Sequence, residues 1–191
     1  LQNNDRVTAV FFGDGATDEG TFHESLNFAS LKKLPVVYIC ENNRYAINSH
    51  QFQRQAGDNI FKWAQGYDIP GYQIDGNDVL RVAEVAEKAI SRCRKGEGPT
   101  LIECITYRWK GHIGTVDDVG GGFRPQSEYD YWISKCPIKW YADYLKGIGV
   151  LTEEIDKSIN DEIDRLINDA FESAINSEKP LPEELMNFVY A

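Results

Sequence analysis

The sequence predicts an α/β protein, a three-layer sandwich around a mainly parallel sheet. Apolar, β-branched runs at Val7–Phe12, Val36–Glu41 and Pro99–Tyr107 have strand length, and their continuity marks strands buried on both faces. Helical patterns lie between them, at about Thr17–Lys33 and Asp78–Lys95. Strand, helix, strand with connections of that length makes a right-handed crossover and hence a parallel sheet.

Each element follows from its residues. The first strand, Val7–Phe12, is expected to be buried. The helix from Thr17 opens with Asp18 and Glu19, which suit its positive end, repeats Phe22, Leu26, Ala29 and Leu34 at roughly helical spacing, and stops at Pro35. Asn43–Gly57 reads as loop, and Asn59–Gly66 as a short helix. Tyr72–Ile74 is a short strand closed by the turn Asp75-Gly76-Asn77. Asp78 caps an amphipathic helix with Val79, Val82, Val85, Ala86, Ala89 and Ile90 on one face, ended by Gly96 and Gly98. The composition then changes. Gly111–Gln126 is rich in glycine and charge and reads as a long mobile loop. Helical segments follow at Ser127–Ser134, Pro137–Lys146 and Thr152–Asn176, the last with Ile155, Ile159, Ile163, Leu166, Ile167 and Ala170 expected inward. Residues 1–191 are therefore read as one domain, with a loop at 111–126 and a helical region at 127–191.

Bulk properties narrow the function. A hydrophobic share of 42% supports a sizeable core, and a formal charge of −10 argues against nucleic acid, which selects basic faces. Cys40, Cys93, Cys104 and Cys136 show no paired metal spacing and read as buried, reduced thiols in a reducing compartment. No apolar stretch approaches membrane-spanning length, and no secretory leader is visible.

The sharpest local signal is Gly13-Asp14-Gly15 closing the first strand, with Asn42-Asn43 closing the second. Two adjacent strands deliver an acid and an amide to one end of a sheet, where α/β proteins bind ligands. Asp14 and Asn43 are hard oxygen donors that suit magnesium or calcium. Gly15 exposes backbone N–H groups at a helix start, where phosphate binds. Together they describe a site for a diphosphate carried on a divalent ion. Taken singly, Asp14 also reads as a helix cap and Asn43 as a turn asparagine. His112 follows a strand and opens the glycine-rich loop, a placement common for functional groups. His23 and His50 read as surface or packing residues. Glu24 and Asn27 read equally as solvated helix residues or as contacts to another subunit.

Gly13-Asp14-Gly15 with Asn42-Asn43 resembles the binding motif of thiamine diphosphate enzymes. The stretch from Gly13 to Ala29, Glu41–Ala46, Gly71–Asp78, Thr106–His112 and the closing Val189-Tyr190-Ala191 resemble the α subunit of the dehydrogenase component of 2-oxo acid dehydrogenase complexes. The resemblance runs from about Val7 to the end. It implies the thiamine diphosphate-binding fold, with Mg2+ held by the side chains of Asp14 and Asn43 and the main-chain carbonyl of Tyr45. Gly15 and Ala16 would face the diphosphate, and His112 would meet both the diphosphate and the reaction centre.

The resemblance also implies an α2β2 assembly, a β subunit that supplies the activating glutamate, and a lipoyl acyltransferase as acceptor. The location would be cytoplasmic in a bacterium or the mitochondrial matrix in a eukaryote. Complete α subunits are longer at the amino-terminal side, so the chain is expected to be a fragment, a processed chain or an incomplete one. The chain has Lys110-Gly111-His112 where family members often have His-Gly-His, and Ile113 where mitochondrial pyruvate-type relatives carry a regulatory serine. These departures leave the substrate open between a 2-oxo acid and acetoin. A non-catalytic assembly or binding module that keeps the motif is the reading from a different class.

Overall fold

The computed structural model describes residues 5–119 and 122–187. The closing block Val189-Tyr190-Ala191 and the loop residues Gly120 and Gly121 lie outside the described residues. The strands are β1 (Thr8–Gly13), β2 (Val36–Asn42), the two-residue β3 (Tyr45–Ala46) and β4 (Ser49–His50), β5 (Gly71–Asp75) and β6 (Thr100–Ile105). Four of them form one parallel sheet in the order β1-β2-β6-β5, while β3 and β4 make a small antiparallel pair.

Helix α1 (Gly20–Leu31) covers one face of the sheet. Its Phe22, Leu26 and Ala29 meet Tyr38 and Cys40 of β2 and Leu101 of β6, together with Ile60 and Ala64 of a 3-10 helix (Ile60–Tyr67). Helix α2 (Val79–Arg94) covers the other, where Val85, Ala89 and Cys93 meet Val37, Ile74, Ile102 and Cys104. Alternate residues of β2 and β6 thus feed opposite cores, as the period of two requires. Asp78 caps α2 as expected, accepting from Arg81 N at 3.0 Å. The three-layer α/β sandwich predicted from the sequence is present.

Some elements differ from expectation. The run Val7–Phe12 was expected to be buried, yet β1 sits at the sheet edge, with Phe11 63% and Val10 37% exposed. It pairs with β2 alone, and apolar continuity reports what a strand can bury rather than what lies over it. The first helix begins at Gly20 instead of Thr17, because Asp14–Asp18 form a tighter 3-10 turn in which Thr17 Oγ1 donates to the Asp14 carbonyl at 2.6 Å. The segment 43–57 is not all loop, since it holds β3, β4 and a 3-10 turn at Gln51–Gln53. On α2, Val79 is exposed.

The chain divides into two compact units, Leu1–Tyr141 and Ala142–Ala191. The first ends with α3 (Gln126–Ser134) and the start of α4 (Pro137–Gly147). The second holds α5 (Glu153–Asn176), capped by Thr152 Oγ1, which accepts from Ile155 N at 3.3 Å. The apolar stripe of α5 was expected inward, but no residue of the helix is buried: Ile155, Ile159 and Ile163 stand 45%, 48% and 47% exposed. Cys40, Cys93 and Cys104 are buried free thiols, whereas Cys136, expected to be buried, is only half-buried; burial pushes Cys104 up to about 11, helped by Glu41 and Glu103. Among the described residues no helix is long and apolar enough to cross a membrane.

Candidate functional site

The parallel register fixes where the motif residues fall. Gly13 of β1 pairs with Glu41 of β2, and Glu41 with Cys104 of β6, so the three strands end together. Asp14 follows β1 directly, and Asn43 follows β2. Beyond β6, Thr106 N donates to the Asn42 carbonyl at 3.0 Å, which starts the segment leading to His112 at the same sheet end.

Asp14 does not cap α1. It is the first residue of the 3-10 turn and is 1% exposed. Burial raises its pKa, opposed by Arg54, whose Nη2 donates to Asp14 Oδ2. Arg54 supplies the opposite charge to this buried carboxylate, and removing it would leave the charge unpaired at a cost of several kcal/mol (roughly). Arg54 also bonds Asp18, and its Nε donates to the Ser49 carbonyl at 3.2 Å. The next residue, Gln55, donates to Thr17 Oγ1 at 2.9 Å and to Asp18 Oδ1 at 2.6 Å.

Gly15 shows why this turn needs glycine. A Cβ there would lie 2.8 Å from Cβ of Ala46, so the turn rests on β3 only without a side chain. That contact brings the Asp14 turn onto the Tyr45–Ala46 strand. Ala16 is exposed on the same turn. Asn43 Oδ1 accepts from Tyr45 N at 2.9 Å, an Asx turn that uses one of two lone pairs. Tyr45 is buried. Its hydroxyl donates to Glu128 Oε2 at 2.8 Å, and burial and that acid raise its pKa.

His112 is exposed, and its Nδ1 lies 3.3 Å from Arg108 Nη1. A guanidinium only donates, so Nδ1 accepts and the neutral ring carries its proton on Nε2. Arg108 in turn donates to the Ile47 carbonyl at 2.9 Å, in the turn between β3 and β4. His112 is thereby tied to the loop that carries Tyr45, though its ring contacts Arg108 rather than Asp14 or Asn43. The loop base is fastened by buried Arg124, which bonds Asp118 and the carbonyls of Arg108, Trp109 and Lys110. At Gly111 a Cβ would meet the Val116 carbonyl at 2.7 Å, the same carbonyl that accepts from Gly111 N. His23 and His50 are packing residues: His23 bonds the Tyr67 hydroxyl at 3.1 Å, and His50 receives Phe52 N at 3.3 Å.

The sequence reading missed the polar shelf beneath the site. Glu103 is 0% exposed in β6 and accepts from Asn42 Nδ2 at 2.7 Å, Phe61 N at 3.0 Å and Gln73 Nε2 at 3.1 Å. Asn42 also donates to Gln51 at 3.0 Å, and Gln51 to Gln55 at 2.8 Å. An acid inside the apolar run Leu101–Ile105 was the available signal, since a buried charge demands partners. An open cleft of about 480 Å³ lies nearby, lined by Gln73, Asp75, Glu128, Trp132 and Lys135. Asp14, Gly15, Ala16, Asn43, Tyr45 and His112 do not line it. Among the described residues no cluster of three or more His, Cys, Asp or Glu could hold a metal. The candidate set is one carboxylate, one amide and one main-chain carbonyl.

Comparison with known proteins adds an independent line. The sequence model of the family described as "Dehydrogenase E1 component" matches residues 1–183. The chain is 40% identical over 191 residues to the 2-oxoisovalerate dehydrogenase subunit alpha of Bacillus subtilis, covering 100% of this chain and 57% of that protein. It is 37% identical over 187 residues to the pyruvate dehydrogenase E1 component subunit alpha of Porphyra purpurea, covering 97% of this chain and 53% of the other. A 3-methyl-2-oxobutanoate dehydrogenase subunit alpha from Mycobacterium tuberculosis is 41% identical over 157 residues, 82% of this chain and 42% of that protein. The chain spans about half the length of the curated relatives it matches.

Proposed function

The chain belongs to the dehydrogenase E1 component family, and from that premise we propose that it is the α subunit of a thiamine diphosphate-dependent 2-oxo acid dehydrogenase. One observation carries the reading: Asp14 and Asn43 end adjacent parallel strands, and the Gly15 turn is seated on the strand of Tyr45. The residues fit a metal-bound diphosphate. A buried carboxylate already drawn to one cation stands beside a turn too tight for a side chain, and the Asn43 amide oxygen keeps a lone pair beyond its Asx turn. Asp14, Asn43 and the Tyr45 carbonyl would hold Mg2+, an oxygen-only set that suits a hard cation. Gly15 and Ala16 would present N–H groups to the diphosphate.

When bound, thiamine diphosphate supplies a carbon nucleophile and an electron sink for cleavage next to a carbonyl. The chain's own part is to hold and orient. Arg108 beside Nδ1 fixes the His112 ring and leaves Nε2–H as a hydrogen-bond donor at the sheet end. The β subunit, with its activating glutamate, and the lipoyl acyltransferase are proposed partners. The names of the relatives favour a 2-oxo acid over acetoin. The alternative of a non-catalytic module predicts no turnover in any assembly.

The experiment joins the chain to its β subunit and follows 2-oxo acid-dependent reduction of an artificial acceptor. The assembly turns over, the chain alone does not, and His112→Ala lowers turnover about a hundredfold, as for lost acid–base help. Turnover by the chain alone contradicts the two-subunit reading, and normal turnover of His112→Ala removes that residue from the site.

A further inference from the structure

Arg54 has no role in the reading above, yet its side chain is the cation that Asp14 holds. It is also built into place. Gln51, 1% exposed, is pinned from below by fully buried Asn42, which is itself bonded to Glu103. The Gln51 carbonyl then accepts from the backbone N–H of Arg54 at 3.0 Å and of Gln55 at 2.9 Å. From this platform Arg54 reaches Asp14 and Asp18, while Gln55 reaches Thr17 and Asp18. Two consecutive side chains therefore clamp the whole Asp14–Asp18 turn. The Arg54 side chain is only 14% exposed, so this is not a solvent-screened surface pair.

We infer that Arg54 is the resident counter-cation of the Asp14 pocket, which holds the acid in place until a divalent ion takes over the carboxylate. The inference rests on the reading of Asp14 as a metal ligand. Arg54 and the ion compete for the same buried carboxylate, because two cations on one small acid repel each other and the guanidinium already holds part of its charge. On release Arg54 keeps Asp18 and the Ser49 carbonyl as partners. It therefore stays beside the site rather than moving into solvent. Affinity for the ion is set by an exchange of cations, and Arg54 lowers it. Loss of Arg54 removes the competitor and leaves Asp14 and Asp18 as an uncompensated negative pair, and both changes favour a cation.

The test titrates the full chain with Mn2+ alone, without diphosphate, and reads the free ion by electron paramagnetic resonance. Arg54→Gln is expected to bind Mn2+ about tenfold more tightly than the unaltered chain, since a charge-assisted bond no longer has to be broken. Arg54→Lys keeps the charge and is expected to stay within about twofold of the unaltered chain. Asp14→Asn removes the binding in every background. Arg54→Met keeps the stem without the charge and serves where near-ultraviolet dichroism shows that Arg54→Gln has lost its fold. Equal or weaker Mn2+ binding by the neutral variants, with Asp14→Asn still abolishing it, overturns the role of Arg54 and leaves the metal site standing. Mn2+ binding indifferent to Asp14→Asn, or none in any variant, overturns both.

Discussion

Helices α2 and α5 carry the same kind of apolar stripe and bury it to opposite extents. Both open on a side-chain cap, Asp78 and Thr152. On α2 the stripe lies against the sheet, and Val85 and Ala89 are 2% and 1% exposed. On α5 every stripe residue remains open, including Leu166 and Ile167 at 51% and 49%. The same contrast separates β6, whose Leu101 and Ile102 are buried, from β1, whose Phe11 is exposed. Periodicity and apolar continuity identify a face; a neighbouring layer is what turns that face into stability.

The comparison can be broken by mutation. The largest effect is expected at Leu101, 0% exposed between the two strands that flank β6. Leu101→Ala should cost about 3 kcal/mol in denaturant unfolding of the first unit, the transfer and cavity cost of a buried leucine. A cost under about 1 kcal/mol would show that the sheet centre is loosely packed.

A middle-sized effect belongs to the loop clamp. Burial pushes Asp118 up, but the hydrogen bonds and charges of Arg124 and Arg108 outweigh it and hold the carboxyl below its ordinary value of 3.8. A depressed folded pKa gives stability that is present above the unfolded value and is lost as pH falls through the folded one. Pepsin should therefore spare the loop near pH 3.8 and cut it as the pH falls well below, while Asp118→Asn should be cut throughout. Arg124→Met should cost about 2 kcal/mol as buried charged hydrogen bonds are lost. Equal cleavage of Asp118→Asn and the unaltered chain at every pH would remove the clamp from the account. The smallest effect is expected on α5, where Ile163→Ala should stay within about 0.5 kcal/mol in the isolated chain. A cost near that of Leu101→Ala would mean that the stripe is covered in solution.

Much of the fold was legible because its signals are local. The crossover from β1 through α1 to β2, the Asp78 cap and the Pro35 stop each depend on a few neighbouring residues. The burial of β1 and α5 was misjudged because it depends on what lies over them, which spacing does not encode. Within the site, Asp14, Gly15 and Asn43 were visible as strand-end residues of the right chemistry. Arg54 was not: it lies 40 residues from Asp14 and reaches it from a 3-10 turn inside a stretch that reads as loop. Glu103 was open to recognition as an acid in an apolar strand. Its partners Asn42, Gln73 and Phe61 N are set by tertiary structure alone.

The central claim is that Asp14 and Asn43 form a metal-dependent diphosphate site. Calorimetric titration of the α/β assembly with thiamine diphosphate, with and without Mg2+, tests it most directly. The account predicts binding that requires the ion and is abolished by Asp14→Ala. Affinity that is unchanged in Asp14→Ala, or that is independent of Mg2+, would contradict it.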